Sequence, residues 1–208
     1  MTTVDPSDGV SGQERPPRDF NAAYAGTPPW DIGRPQPAFL NLAHAGLVTG
    51  RVLDVGCGTG EHALMAASLG LSATGVDSAP AAIELARAKA AGRGLDVRFL
   101  VHDAMELDTL GERFDTAIDC GLFHVFSDAD RLRYAASLHA VISPGGRYHM
   151  LGFSDLVPGD FGPRRLTRDE IVDTFSQGWH VDSLERVPLE TTEVPPGIPA
   201  WLATITRT

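Results

Sequence analysis

This 208-residue sequence predicts an α/β fold: a seven-stranded, mostly parallel sheet with helices on both faces. Three observations carry that prediction. From about residue 51 onward, short apolar segments of strand length alternate with segments of helical spacing, the pattern of a parallel sheet. A glycine-rich turn, Gly56-Cys57-Gly58-Thr59-Gly60, lies between the first such strand and the first such helix. Carboxylates close four successive strands, at Asp54, Asp77, Asp103 and Asp119, on the edge where open α/β sheets bind ligands.

Each element follows in order. Residues 1–18, rich in Pro, Gly, Ser, Asp and Glu, read as a flexible tail. The remainder, 19–208, fits one domain. Its first part, 19–48, holds a short helix, a Pro-rich turn and a longer helix, with Pro35 suited to the helix start. "RVLDVG" (51–56) is an apolar strand, and a helix spans Gly60 to Leu69. "SATGVD" (72–77) is the second strand, and Asp77 or Ser78 is placed to cap the Ala/Leu/Ile-spaced helix of 79–94. "DVRFLVHD" and "FDTAIDCG" are the third and fourth strands. A helix from Asp128 to Ile142 is closed by the turn Ser143-Pro144-Gly145-Gly146, and "GRYHMLGFS" is the fifth strand. A loop (156–165) and a helix near "TRDEIVDTFS" lead to two final strands, "WHVDSLERV" and "PAWLATITR", expected as an antiparallel edge.

Composition narrows the function. Seventeen basic residues against twenty-seven acidic ones give a net charge of −10, and Lys89 is the one lysine. Such a chain is poorly suited to tracking nucleic-acid phosphates. No apolar run has the length of a membrane span, and the N-terminus lacks a signal pattern. Cys57 and Cys120 show neither paired nor metal-type spacing, which points to a reducing, cytoplasmic setting. His62, His102 and His149 share no ligand spacing, so no metal site is expected. A small-molecule ligand is.

The glycine turn discriminates between ligands. A dinucleotide fingerprint, G-x-G-x-x-G, needs a small residue at position 61, where Glu61 stands. With Asp54 nearby, a pyrophosphate would meet two negative charges. S-adenosylmethionine reverses the electrostatics: its ammonium and sulfonium attract carboxylates, while the amides of Gly56, Gly58 and Gly60 donate to its carboxylate. Glycine lets the backbone approach the ligand without an obstructing Cβ. Asp77 is placed to accept both ribose hydroxyls, and Asp103-Ala104 to take an adenine amino group with Met105 against the ring. A nicotinamide oxidoreductase and a non-catalytic cofactor-binding module are the rival readings. Glu61 argues against the first, and the full set of strand-end residues against the second.

"VLDVGCGTG", "GVD", "HDA" and "SPGGR" resemble the motifs of class I S-adenosylmethionine-dependent methyltransferases, whose sheet is Rossmann-like, over about Arg51 to Ser154. "PPWDIGRPQPAF", "DCGLFHVFSDADR" and "FSDLVPGDFGPRRLT" are similar to the actinobacterial branch that methylates heterocyclic toxins such as hydroxyquinolones, itself related to thiopurine and thiol methyltransferases. The resemblance implies that a Trp-containing N-terminal segment folds over the cofactor, making Trp30, Arg34 and Gln36 cofactor-side residues. It also implies a small, flat heteroaromatic acceptor, with a thiol, thiopurine or halide as the alternative.

His124, just past the fourth strand, is placed to orient or deprotonate an acceptor; the competing reading packs it between Phe123 and Phe126. Tyr24, Phe123, Phe126 and Phe153 are candidates for an aromatic acceptor slot. Asp119 supports the cofactor's methionine end or a histidine, or simply finishes its strand. Cys57 and Cys120 read as small buried side chains near the cofactor, not nucleophiles. Arg164-Arg165 reads as a solvated pair, with an anionic acceptor as the alternative partner. The Trp30 segment and the 156–165 loop are the candidates for closing the site.

Overall fold

The computed structural model describes residues 19–159 and 162–208. The expected tail, 1–18, lies outside them, as do Asp160 and Phe161 of the expected closing loop.

The sheet is formed by Arg51–Val55 (β1), Ser72–Asp77 (β2), Arg98–Val101 (β3), Phe114–Cys120 (β4), Ile142–Phe153 (β5), Trp179–Leu189 (β6) and Ile198–Arg207 (β7), in the order β3-β2-β1-β4-β5-β7-β6. Strands β1 to β5 pair in parallel, whereas β7 runs antiparallel to both β5 and β6. The two last strands form the expected antiparallel edge of the sheet, with β7 inside and β6 outermost. Composition explains that order. Ala200 to Ile205 are buried without alternation, as a strand covered on both faces must be. β6 carries Asp182, Glu185 and Arg186 and is largely solvated, the usual protection of an edge.

Successive side chains leave the sheet on opposite faces. Val52, Ile118, Leu151 and Leu202 join one core with residues of Pro37–His44, Glu61–Ser68 and Pro80–Arg93. Counting the short helix Phe20–Ala23 as α1, these helices are α2, α3 and α4. Leu53, Ala117, Met150 and Ala203 join a second core with Asp128–Val141 (α5) and Arg168–Thr174 (α6).

Several boundaries differ from the sequence expectations. β3 ends at Val101, so Asp103 stands beyond the strand and caps the turn that follows it. α2 begins at Pro37, not Pro35. The residue before a proline is forced extended, and Gln36 obeys with ψ 138°. α4 is N-capped by Ala79 with no side-chain cap, because Asp77 is still strand and its Oδ1 accepts from the Ala79 amide instead. Ser143–Gly146 does not end before β5 but bulges within it: pairing runs Phe114↔Ile142 and resumes at Thr116↔Arg147. A 3₁₀ turn at Ala104–Leu110, which the sequence reading missed, follows β3 and buries Leu107.

Candidate active site

A cavity of about 450 Å³ lies at the carboxyl ends of the parallel strands, in the size range of small-molecule sites. The β1/β4 junction divides it. Residues following β1, β2 and β3 build one half, those following β4 and β5 build the other, and the β6–β7 connection contributes to both.

The first half is polar and acidic. Gly56 and Gly58 take left-handed φ of 66° and 52°, closed to most side chains, and both line the cavity. Asp77 lines it too. Its Oδ2 accepts from the Gly58 amide and its Oδ1 from the Ala79 amide, both at 2.8 Å, and burial raises its pKa. Asp103 and Ala104 reach the wall as expected, Asp103 accepting from the Met105 amide at 2.9 Å. Met105 itself turns into the core and offers no face to the cavity. Asp54, expected among the cofactor residues, does not line the cavity: it lies behind the glycine turn, 1% exposed, and its Oδ2 accepts from the Ala63 amide at 3.0 Å. Its Oδ1 has no hydrogen-bond partner, and burial lifts its pKa to about 8.

Several expectations for this half need correction. Gly60 does not line the cavity: at φ 85° it packs on Phe99, whose Cζ would stand 2.5 Å from an added Cβ. That glycine serves helix–sheet packing. Glu61 does not confront the ligand as a bare charge, since Lys89 and both Arg93 nitrogens bond its carboxylate at 2.8–2.9 Å. Burial alone would raise its pKa, but these cations outweigh burial and lower it. Asp119 is not a cofactor contact. It is fully buried on the α5 side of the sheet, where its carboxylate accepts from the Leu122 and Phe123 amides and from the hydroxyls of Tyr134 and Tyr148.

The N-terminal segment borders this half. The Trp30 indole N–H donates to the Tyr24 hydroxyl at 3.0 Å, and the two rings meet edge-on. Tyr24, expected in the acceptor slot, lines the cavity over Gly58, its hydroxyl 2.8 Å from where a Cβ would be. Burial raises its pKa well above the ordinary tyrosine value. Arg34 forms an ion pair with Glu190. Gln36, almost fully buried, donates to the Glu190 carbonyl and accepts from its amide, both at 2.9 Å. The Thr192 amide donates to the Pro29 carbonyl at 2.9 Å. The β6–β7 connection is thereby clasped to the Trp30 segment, and its Thr191, Glu193 and Val194 join the cavity wall. Nothing local in "TTEVPPG" signals that role; only the long-range pairing reveals it.

The second half is mostly apolar. His124 is buried, lines the wall and meets the Phe153 ring edge-on at 4.9 Å. Its Nδ1 accepts from the Phe153 amide at 2.9 Å, so in the neutral ring Nε2 carries the proton. Leu122, Val125, Phe126, Leu189 and Ile198 complete the surface. Phe123 does not: fully buried, it packs on Phe175 and under the Arg131 guanidinium, away from the cavity. Cys57 and Cys120 both touch the cavity, and burial pushes both thiols well above the usual range, as inert side chains. Arg164 is paired with Asp128 and Glu170, and Arg165 bonds the Pro163 and Pro158 carbonyls; neither lines the cavity. Among the described residues no group of His, Cys, Asp and Glu has metal-binding geometry, and no helix is long and apolar enough to cross a membrane.

Comparison with known proteins gives this geometry its context. A family model described as a methyltransferase domain matches residues 52–146. The 2-heptyl-1-hydroxyquinolin-4(1H)-one methyltransferase of Mycobacteroides abscessus is 41% identical over 163 residues, covering 77% of this chain and 72% of that protein. A solved structure from work on the conversion of a disulfide bond into a thioacetal group during echinomycin biosynthesis is 40% identical, with a TM-score of 0.83, covering 90% of this chain and 91% of that one. The Burkholderia thailandensis 1,6-didemethyltoxoflavin-N1-methyltransferase, solved with 1,6-didemethyltoxoflavin and S-adenosylhomocysteine bound, is 27% identical with a TM-score of 0.71 over 91% of this chain and 86% of that one.

Proposed function

The chain belongs to the class I S-adenosylmethionine-dependent methyltransferases, and from that premise we propose that it methylates a nucleophilic oxygen or nitrogen of a small, flat heteroaromatic molecule held against His124 and Phe153. The observation that carries this reading is the division of the cavity into an acidic half and an apolar, aromatic half. The hydroxyquinolone and toxoflavin relatives support the heteroaromatic class.

The acidic half suits the cofactor. Asp54 Oδ1 is a buried acceptor lacking a donor, a defect that a nearby ammonium would relieve. Asp77 and Asp103 offer acceptors to ribose and adenine, and Gly56 and Gly58 keep the wall open. Trp30 and Arg34 border the same end. Bound there, S-adenosylmethionine supplies a methyl group on a cationic sulfur, an electrophile that needs no acid catalyst.

What remains for the chain is placement and exclusion of water. Phe153 offers the acceptor ring an apolar surface. With Nδ1 held by the Phe153 amide, His124 orients the acceptor instead of removing its proton. An acceptor acidic enough to ionise near neutrality suits that arrangement. The segment 19–48 acts as the lid, and the two free cysteines fit a cytoplasmic setting.

An acceptor panel tests the proposal. Turnover is expected with hydroxyquinolone-type compounds, and His124→Ala should lower it roughly ten- to a hundredfold without altering cofactor affinity. Full activity of that variant would remove His124 from the mechanism. A sulfur acceptor is the second reading, favoured by the 40% identity to the structure from echinomycin biosynthesis. Turnover of thiols with every heteroaromatic hydroxyl or ring nitrogen inert would decide for it.

A further inference from the structure

Behind the acceptor half lies a buried polar hub that touches no part of the cavity. Asp119 Oδ2 accepts from the Tyr148 hydroxyl at 2.8 Å and the Tyr134 hydroxyl at 3.0 Å, while Oδ1 accepts from the Leu122 amide at 2.8 Å. The Phe123 amide adds a bond to Oδ2 at 3.1 Å. All three side chains are fully buried. A buried carboxylate is costly unless its lone pairs are filled, and a fully satisfied network fixes its members in one arrangement. What this one fixes is the turn after β4. Leu122 lines the cavity, Phe123 is sandwiched into the second core with Arg131 stacked 5.2 Å from its ring centroid, and His124 follows. The Gly121 amide ties the start of the same turn to the Leu151 carbonyl at 2.8 Å.

We propose that Asp119, gripped by Tyr134 of α5 and Tyr148 of β5, is a positioning residue: it sets the Gly121–Phe126 segment, and His124 with it, against the acceptor. The strand-end carboxylates thus divide their labour. Those of β1 to β3 serve the cofactor half, and that of β4 serves the acceptor half through backbone amides without touching either ligand. The hub's two hydroxyls come from elements on either side of the segment, so α5 and β5 jointly determine where the acceptor's partner sits. The proposal rests on the reading that the acceptor lies against this segment.

Tyr148→Phe removes one hydroxyl and leaves the aromatic packing in place. It is expected to raise acceptor KM and to lower acceptor kcat/KM about tenfold, the weight of one charge-assisted hydrogen bond, while calorimetric cofactor affinity stays unchanged. The Leu122 and Phe123 amides should exchange faster in the variant. In the His124→Ala background the loss in kcat/KM should shrink, because residues acting as a unit are non-additive. Unchanged acceptor kinetics, or equal losses of cofactor affinity and acceptor kinetics, would overturn the proposal. Full additivity with His124→Ala would overturn it as well. If His124→Ala alone leaves turnover intact, the role of His124 falls, and the hub is then judged by acceptor KM, since Leu122, Val125 and Phe126 also line the site. Should Tyr148→Phe not fold, Tyr134→Phe removes the other hydroxyl and is read in the same way.

Discussion

Asp77 is placed so that one side chain can serve fold and ligand together. Each of its oxygens already holds a backbone amide, of Gly58 and of Ala79, and each keeps a lone pair for a ribose hydroxyl. Asp77→Ala should therefore loosen the glycine turn and weaken S-adenosylmethionine binding by about 3 kcal/mol, on the order of a hundredfold. Asp77→Asn, which keeps one acceptor oxygen, should lose less. Calorimetry returning wild-type affinity for the alanine variant would remove Asp77 from the cofactor site. Residues of this kind were legible in the sequence, because a strand-end carboxylate next to a glycine turn fixes its own position. Phe123 and Asp119 were legible as residues but not in their placement. Which side of a strand end a ring or carboxylate faces depends on packing from α5 and β5, and the alternation of side chains sends Asp119 to the face opposite α3.

At the scale of elements, the proposed lid, the Trp30 segment, is bonded to the β6–β7 connection, which the sequence expectation did not include beside the 156–165 loop. Gln36 and Glu190 join them through paired hydrogen bonds across 154 residues of chain, and Arg34 adds an ion pair to the same glutamate. A bond of that span leaves no periodicity for a sequence reading to detect. The strands and helices were legible because each has its own apolar period, whereas β7's place inside the sheet followed only from its two buried faces. If these parts close as one over the cofactor, hydrogen exchange from about Ala22 to Gln36 should slow on cofactor binding, and exchange at Glu190 and Thr192 should slow with it. Gln36→Ala removes both side-chain bonds and should uncouple the second region from the first. Equal exchange with and without cofactor across 22–36 would rule out the lid.

Across the whole molecule, buried titratable groups on both faces of the sheet make stability depend on pH in two opposed ways. Burial lifts Asp119 to about 6 and Asp54 to about 8, and it drops His62 and His149 each to about 4. The folded chain holds the carboxylate protons to higher pH than the unfolded chain does. The stability they confer is therefore complete below about pH 4 and is lost as pH rises through these folded values. The histidines act in reverse: their contribution is whole above about pH 6.5 and lost as pH falls toward 4. Between these limits the two sets oppose each other, but above pH 6.5 Asp54 dominates. The ligand-free protein should accordingly lose thermal stability from pH 6.5 to 8.5, and Asp54→Asn should flatten that limb. If the cofactor ammonium approaches Asp54 it favours the ionised form, and the rise in Tm on adding S-adenosylmethionine should then be larger at pH 8.5 than at 6.5 in the wild type and pH-independent in the variant. Thermal unfolding at both pH values, with and without cofactor, reads all four quantities. A wild-type slope retained by Asp54→Asn would show that the orphaned oxygen behind the glycine turn is not the group that senses the ligand.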